Sequence, residues 1–113
     1  MNERIREVRK FLGYSQKDFA EKIGLKQNAI SYMEKAGSTV TEQNIKSICS
    51  QFNVNETWLR TGTGKMLLED EQRQKEFFDI FSGLSPVLQE YLIKTAKELL
   101  STQEKLLNPK DNN

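Results

Sequence analysis

The sequence predicts an all-α protein, and three observations carry that reading. Apolar residues recur every three or four positions in short stretches, glycines and polar pairs separate those stretches, and no strand-like alternation lasts beyond a few residues. The first helix is set by Ile5, Val8 and Leu12 and ends at Gly13. Ser15 offers an N-cap hydroxyl with Asp18 three residues on, and Phe19, Ala20 and Ile23 give the second helix, about nine residues long, its apolar face. Gly24 ends it, and Leu25 follows as a buried turn residue. A third helix starts near Lys26 or Gln27, buries Ile30 and Met33, and stops at Ala36-Gly37. Thr41 caps a fourth, with Ile45, Ile48, Cys49 and Phe52 on one side; Asn55 caps a fifth, carrying Trp58 and Leu59 and ending at Thr61-Gly62.

Composition narrows the chemistry. With 113 residues the chain has room for one small domain and an appendage. There is no His, so neither a Cys/His zinc site nor a triad with a His base can be assembled, and no metal or cofactor is expected. The lone Cys49 falls in an apolar stripe and is a packing residue. No long apolar run or signal-peptide pattern is present and mean hydropathy is −0.68, so a soluble, cytoplasmic protein with no membrane partner is expected. Net charge is only +1, but residues 1 to 68 hold eleven basic and seven acidic side chains, whereas residues 69 to 113 hold six and nine. A basic unit followed by an acidic one suits a polyanion binder whose C-terminal part binds protein.

The most restrictive segment runs from Gln16 to Glu34. Ala20 is small where another helix crosses, Gly24 makes the sharp turn, and Ile30 and Met33 insert the next helix into the core. Together they specify a helix-turn-helix, whose second helix projects its first turn where polar side chains can enter a major groove about 12 Å wide. That turn is Lys26-Gln27-Asn28.

Over residues 2 to 66 the chain resembles the Cro and phage-repressor (xenobiotic-response-element type) class of helix-turn-helix regulators. The resemblance rests on Ser15-Gln16, Ala20, Gly24, Ile30, Met33 and Glu34, and on the ending Val54-Asn55-Glu56-Thr57-Trp58-Leu59-Arg60-Thr61-Gly62. It implies a five-helix DNA-binding domain over 1–68 that binds a pseudo-palindromic operator as a dimer. The residues beyond it are expected to give one or two further helices over 69–107 and a disordered tail at 108–113. The expected protein is a bacterial or phage-encoded transcription regulator, a repressor, and not an enzyme.

Gln27 and Asn28 are the leading base readers, because their amides pair bidentately with the N6 and N7 edge of adenine; Ser31 and Tyr32 continue the same helical face, and Lys26 suits guanine or phosphate. Gln16, at the start of the second helix, is a phosphate ligand that fixes register, with Lys17, Lys35, Ser38 and Thr39 as lesser candidates. The resemblance also implies a bidentate ion pair between Arg9 and Glu34, structural first and orienting the guanidinium toward DNA. The loop Glu34-Lys35-Ala36-Gly37 is one residue longer than the family's usual ending, and Ser38-Thr39-Val40-Thr41 lacks the basic residue some relatives carry there.

In the second half, residues 69 to 82 form a helix crowded with Phe77, Phe78, Ile80 and Phe81; Gly83-Leu84 breaks it, and Ser85-Pro86 starts another that runs to about Leu107. Leu88, Tyr91, Leu92, Thr95, Ala96, Leu99 and Leu100 form its apolar stripe. These helices either fold back on the first domain or pair across a homodimer, which would suit half-sites about 34 Å apart. About 45 helical residues cannot build the self-cleavage module of some phage repressors, so release from DNA calls for another trigger, such as an antirepressor protein on these helices. The rival reading is an antitoxin or adaptor whose main partner is a protein, against which the three polar residues at 26–28 argue. Gly62-Thr63-Gly64-Lys65 lacks the spacing of a phosphate loop and is a helix-ending turn, and Asp70, Glu71 and Glu76 belong to a solvated face.

Overall fold

The computed structural model describes residues 1–107, and the tail expected at 108–113 lies outside them. The chain divides into two units, Met1–Leu68 and Glu69–Asn113. The first holds five helices: α1 (Asn2–Phe11), α2 (Gln16–Lys22), α3 (Gln27–Met33), α4 (Glu42–Phe52) and α5 (Glu56–Thr61). The second holds α6 (Glu71–Gly83) and α7 (Pro86–Leu107).

Caps fix where these helices start. Ser15 Oγ accepts from the Asp18 N–H at 3.0 Å, Thr41 Oγ1 from Asn44 at 3.2 Å, and Asn55 Oδ1 from Thr57 at 3.2 Å, each satisfying a donor that the first turn leaves without a partner. One core then joins all five helices: Ile5 and Val8 of α1, Phe19 and Ala20 of α2, Ile30 and Met33 of α3, Ile45 and Ile48 of α4, and Val54, Trp58 and Leu59 around α5 are all buried. Phe19 stacks on Phe52 at 4.5 Å between ring centroids, and Cys49 packs against the same core, where burial pushes its thiol pKa up. Gly24 turns the chain at φ +72°, so that Leu25 N–H donates to Ala20 O at 2.9 Å and α3 can cross over Ala20. A Cβ there would meet nothing within 4 Å, so it is the left-handed backbone, not space, that calls for glycine.

Two helices are shorter than the sequence predicts. α2 spans 7 residues, and α3 ends at Met33 instead of Ala36-Gly37. After Met33 the chain tightens, with Lys35 N–H donating to Tyr32 O at 3.1 Å, and it reverses at Gly37 with φ +84°. A second feature has no local sequence signal: Val54 and Leu67 form an isolated antiparallel bridge, with Asn55 N–H donating to Met66 O at 2.8 Å and Leu68 N–H to Asn53 O at 2.9 Å. This bridge carries the turn at Gly62–Lys65 back along α5. Arg4 closes the other side, its Nε and Nη2 donating to Leu59 O (2.8 Å) and Arg60 O (2.9 Å), carbonyls that the end of α5 leaves open.

On the surface, Arg60 bridges Glu42 and Glu56, and Lys46 Nζ meets Glu56 Oε1 at 2.8 Å. The Arg60 guanidinium holds the Glu42 carboxyl below the usual carboxylate range, and Lys46 followed by Arg60 does the same for Glu56. Since folding lowers both pKa values, what this cluster contributes is present above the unfolded carboxylate range and fades as pH falls through the folded values. Its exposure keeps that contribution small.

In the second unit Asp70 Oδ1 caps α6 by accepting from the Arg73 N–H at 3.0 Å, and Pro86 occupies the first position of α7. Gln89 Nε2 donates to Phe81 O at 2.8 Å, tying α7 to the end of α6. Phe77 and Phe81 of α6 line an apolar groove with Leu92, Ile93, Ala96 and Leu100 of α7. Neither helix has a buried residue. None of the described helices is long and apolar enough to cross a membrane.

Candidate nucleic-acid interface

At 100° per residue, Gln27, Asn28, Ser31, Tyr32 and Lys35 project to one side of α3 and its exit, while Ile30 and Met33 project to the other. The burial follows this division: Ile30 and Met33 are in the core, whereas Gln27, Asn28, Ser31 and Tyr32 are exposed, Tyr32 by 55% despite its size. Lys26, the N-cap of α3, makes no capping bond with its own side chain and is exposed. Asn28, Ser31, Tyr32 and Lys35 line a groove together with Arg6 and Arg9 of α1, Gln16 of α2 and Glu34. Gln27, Lys17, Ser38 and Thr39 are not among the groove's lining. Lys17 and Thr39 are exposed, and Ser38 is half-buried with its carbonyl engaged by the Asn2 side chain.

The floor of the groove is a charge-assisted network. Arg9 Nε and Nη2 donate to Glu34 Oε2 and Oε1 at 2.7 and 2.9 Å, a bidentate pair, and Arg9 Nη1 donates to Tyr14 O at 3.1 Å. The side chains are 12% and 5% exposed, so this pair is largely out of water, unlike the Arg60 cluster. Gln16 Nε2 adds a third donor to Glu34, at 3.2 Å to Oε1. An amide nitrogen carries two hydrogens, so one anchors Gln16 to the network and the other is left for an acceptor above the groove. The ends of α1, α2 and α3 are thus cross-linked through one carboxylate.

The groove has positive guanidinium and ammonium groups, amides and hydroxyls, and its acidic member is already neutralised. That set can donate to phosphate oxygens along its walls and present hydrogen-bonding amides to base edges. Sequence reasoning missed Arg6, exposed three residues before Arg9 on the same face of α1; the signal was its helical spacing from Arg9. It also missed Asn2, whose side chain holds the loop after α3.

The apolar stripe expected on α7 divides in two. Leu92, Ala96 and Leu100 line the groove with α6, of which only Leu92 is half-buried, whereas Leu88, Tyr91 and Leu99 lie outside that lining and are exposed, 51%, 69% and 66% respectively. Thr95, half-buried, donates its hydroxyl back to Tyr91 O at 3.0 Å.

No curated protein and no solved structure matches this chain. A family model described as helix-turn-helix matches residues 5–59, from the core face of α1 to the buried Leu59 of α5. The matched span holds the α2–α3 pair, the Arg9–Glu34 network and nearly all of the core. Through it, the N-terminal unit of this chain belongs to the Cro and phage-repressor class of helix-turn-helix DNA-binding transcription regulators.

Proposed function

We propose that the protein is a repressor of the phage or prophage type that binds a pseudo-palindromic operator as a homodimer, in the bacterial cytoplasm, with α3 in the major groove. The observation that carries this reading is the exposed polar face of α3, Gln27, Asn28, Ser31 and Tyr32, set against a buried apolar one. Gln27 and Asn28 read adenine edges, Ser31 and Tyr32 extend the contact, and Lys26 meets guanine or phosphate. Gln16, Arg6, Lys17, Lys35, Ser38 and Thr39 hold phosphates on either side and fix register. No catalytic residue, metal or cofactor enters this mechanism.

Dimerisation belongs to the second unit in this reading. The pair α6 and α7, without one buried residue among those described, is near the size, about 40 residues, below which a fold usually needs oligomerisation or another staple. Leu88, Tyr91, Thr95 and Leu99 provide the outer face, and Leu92, Ala96 and Leu100 provide the inner one. The wild type is expected to sediment as a dimer at micromolar concentration, and Leu88→Lys/Leu99→Lys as a monomer whose operator affinity falls at least about 100-fold, as expected when two half-sites no longer bind as one unit. A wild type that sediments as a monomer would remove this part of the account. The same exposed apolar surface favours a second reading, an antitoxin or adaptor whose main partner is a protein such as a toxin; co-purification of a toxin with the wild type favours that reading over the first.

A further inference from the structure

The loop from Glu34 to Thr39 leaves α3, carries Lys35, Ser38 and Thr39, and is pinned at both ends by α1. Arg9 holds Glu34 at its start. Asn2, a full seven residues earlier on α1, holds the rest: its Nδ2 donates both hydrogens, to Met33 O at 2.6 Å and to Ser38 O at 2.9 Å, and its Oδ1 accepts from the Gly37 N–H at 3.2 Å. One amide therefore takes the last carbonyl of α3, the donor of the residue that reverses the chain at φ +84°, and the carbonyl beyond it. Without it those groups sit in a tight turn and lose the partner that Asn2 supplies. No aspartate can do the same, because both contacts to carbonyls need donors.

From this clamp we infer that Asn2 is a positioning residue for DNA binding: it touches no nucleic acid itself but fixes the Lys35–Thr39 segment so that Lys35 and its neighbours meet phosphates at the exit of α3. The inference deepens the proposed function and rests on it. The extra residue in this loop, relative to the family's usual ending, makes the clamp matter, since a longer loop samples more conformations and loses more on ordering. With Asn2 in place, that ordering is complete before DNA arrives, and Lys35 keeps its phosphate contact at little further entropic cost.

The test uses the full chain and a labelled mixed-sequence duplex of about 30 base pairs, titrated from about 50 to 200 mM KCl, where non-specific binding reports phosphate contacts. Wild type, Asn2→Ala, Asn2→Asp, Lys35→Ala and Asn2→Ala/Lys35→Ala are compared at a temperature where circular dichroism shows each folded. Asn2→Ala is expected to weaken binding roughly 5- to 10-fold and to flatten the log Kd against log salt slope by about one, the loss of one phosphate contact. Asn2→Asp gives the same flattening, and the double variant binds within about 2-fold of Lys35→Ala, because the two residues act through one contact. A purely structural role would lower the melting temperature and leave the slope at the wild-type value; that result, or additive losses in the double variant, overturns the inference while leaving the DNA-binding reading intact. A wild type without salt-dependent duplex binding overturns both.

Discussion

Replacing Gln27 and Asn28 together by alanine is expected to erase sequence discrimination while leaving the protein folded and still attracted to DNA. Both side chains are exposed and neither makes a hydrogen bond that holds the domain together, so the melting temperature should stay within a few degrees of wild type. Each bidentate amide–adenine pair is worth about 1–3 kcal/mol of discrimination, so removing both should weaken operator binding at least about 30-fold. Affinity for a scrambled duplex, and the salt slope, should remain close to wild type, because the proposed phosphate ligands are Gln16, Arg6 and the loop after α3, which the substitutions leave in place. Fluorescence anisotropy on the two duplexes checks this. Equal losses on operator and scrambled DNA would assign these residues to backbone contact instead.

The second large effect falls on stability. Glu34→Ala removes the acceptor for two Arg9 donors and for Gln16, leaving a guanidinium that is 12% exposed without its counter-charge. Breaking one side of such a pair typically costs about 3 kcal/mol or more, which for a domain of this size lowers the melting temperature by roughly 15 °C. Glu42→Ala removes an ion pair of similar geometry whose carboxylate is 71% exposed, and should cost only about 0.5 kcal/mol. Thermal melts of the two variants measure the contrast directly. A Glu34→Ala melt as mild as that of Glu42→Ala would show that the Arg9 network is a surface ornament and not a cross-link between three helices.

The core and most helix starts were legible because they rest on local patterns. Ile5 and Val8, Phe19 and Ala20, and Ile45 and Ile48 follow helical spacing, and Ser15, Thr41 and Asn55 cap through their own first turns. The ends were less legible where a distant residue decides them. α3 stops at Met33, and Asn2, 31 residues away, takes its last carbonyl; Arg4 closes α5 from 55 residues away. Neither partner has a pattern that links it to its target. The Arg9–Glu34 pair was available only through resemblance to a known family, since nothing in the spacing of 25 residues joins the two. On α7 the apolar stripe was visible as one wide band, but its division into a face toward α6 and an outer face depends on where Phe77 and Phe81 sit, which helical period on α7 alone does not contain.

The most direct measurement of the central claim is selection of bound sequences by the wild-type protein from a random duplex library at near-physiological salt. Enrichment is expected of an inverted repeat whose half-sites lie about 34 Å apart along the duplex and contain adenines opposite Gln27 and Asn28. Binding that is weak, salt-sensitive and without enrichment of any sequence would contradict it, and would make the exposed apolar surface of α6 and α7, with a protein partner on it, the better account of what this molecule does.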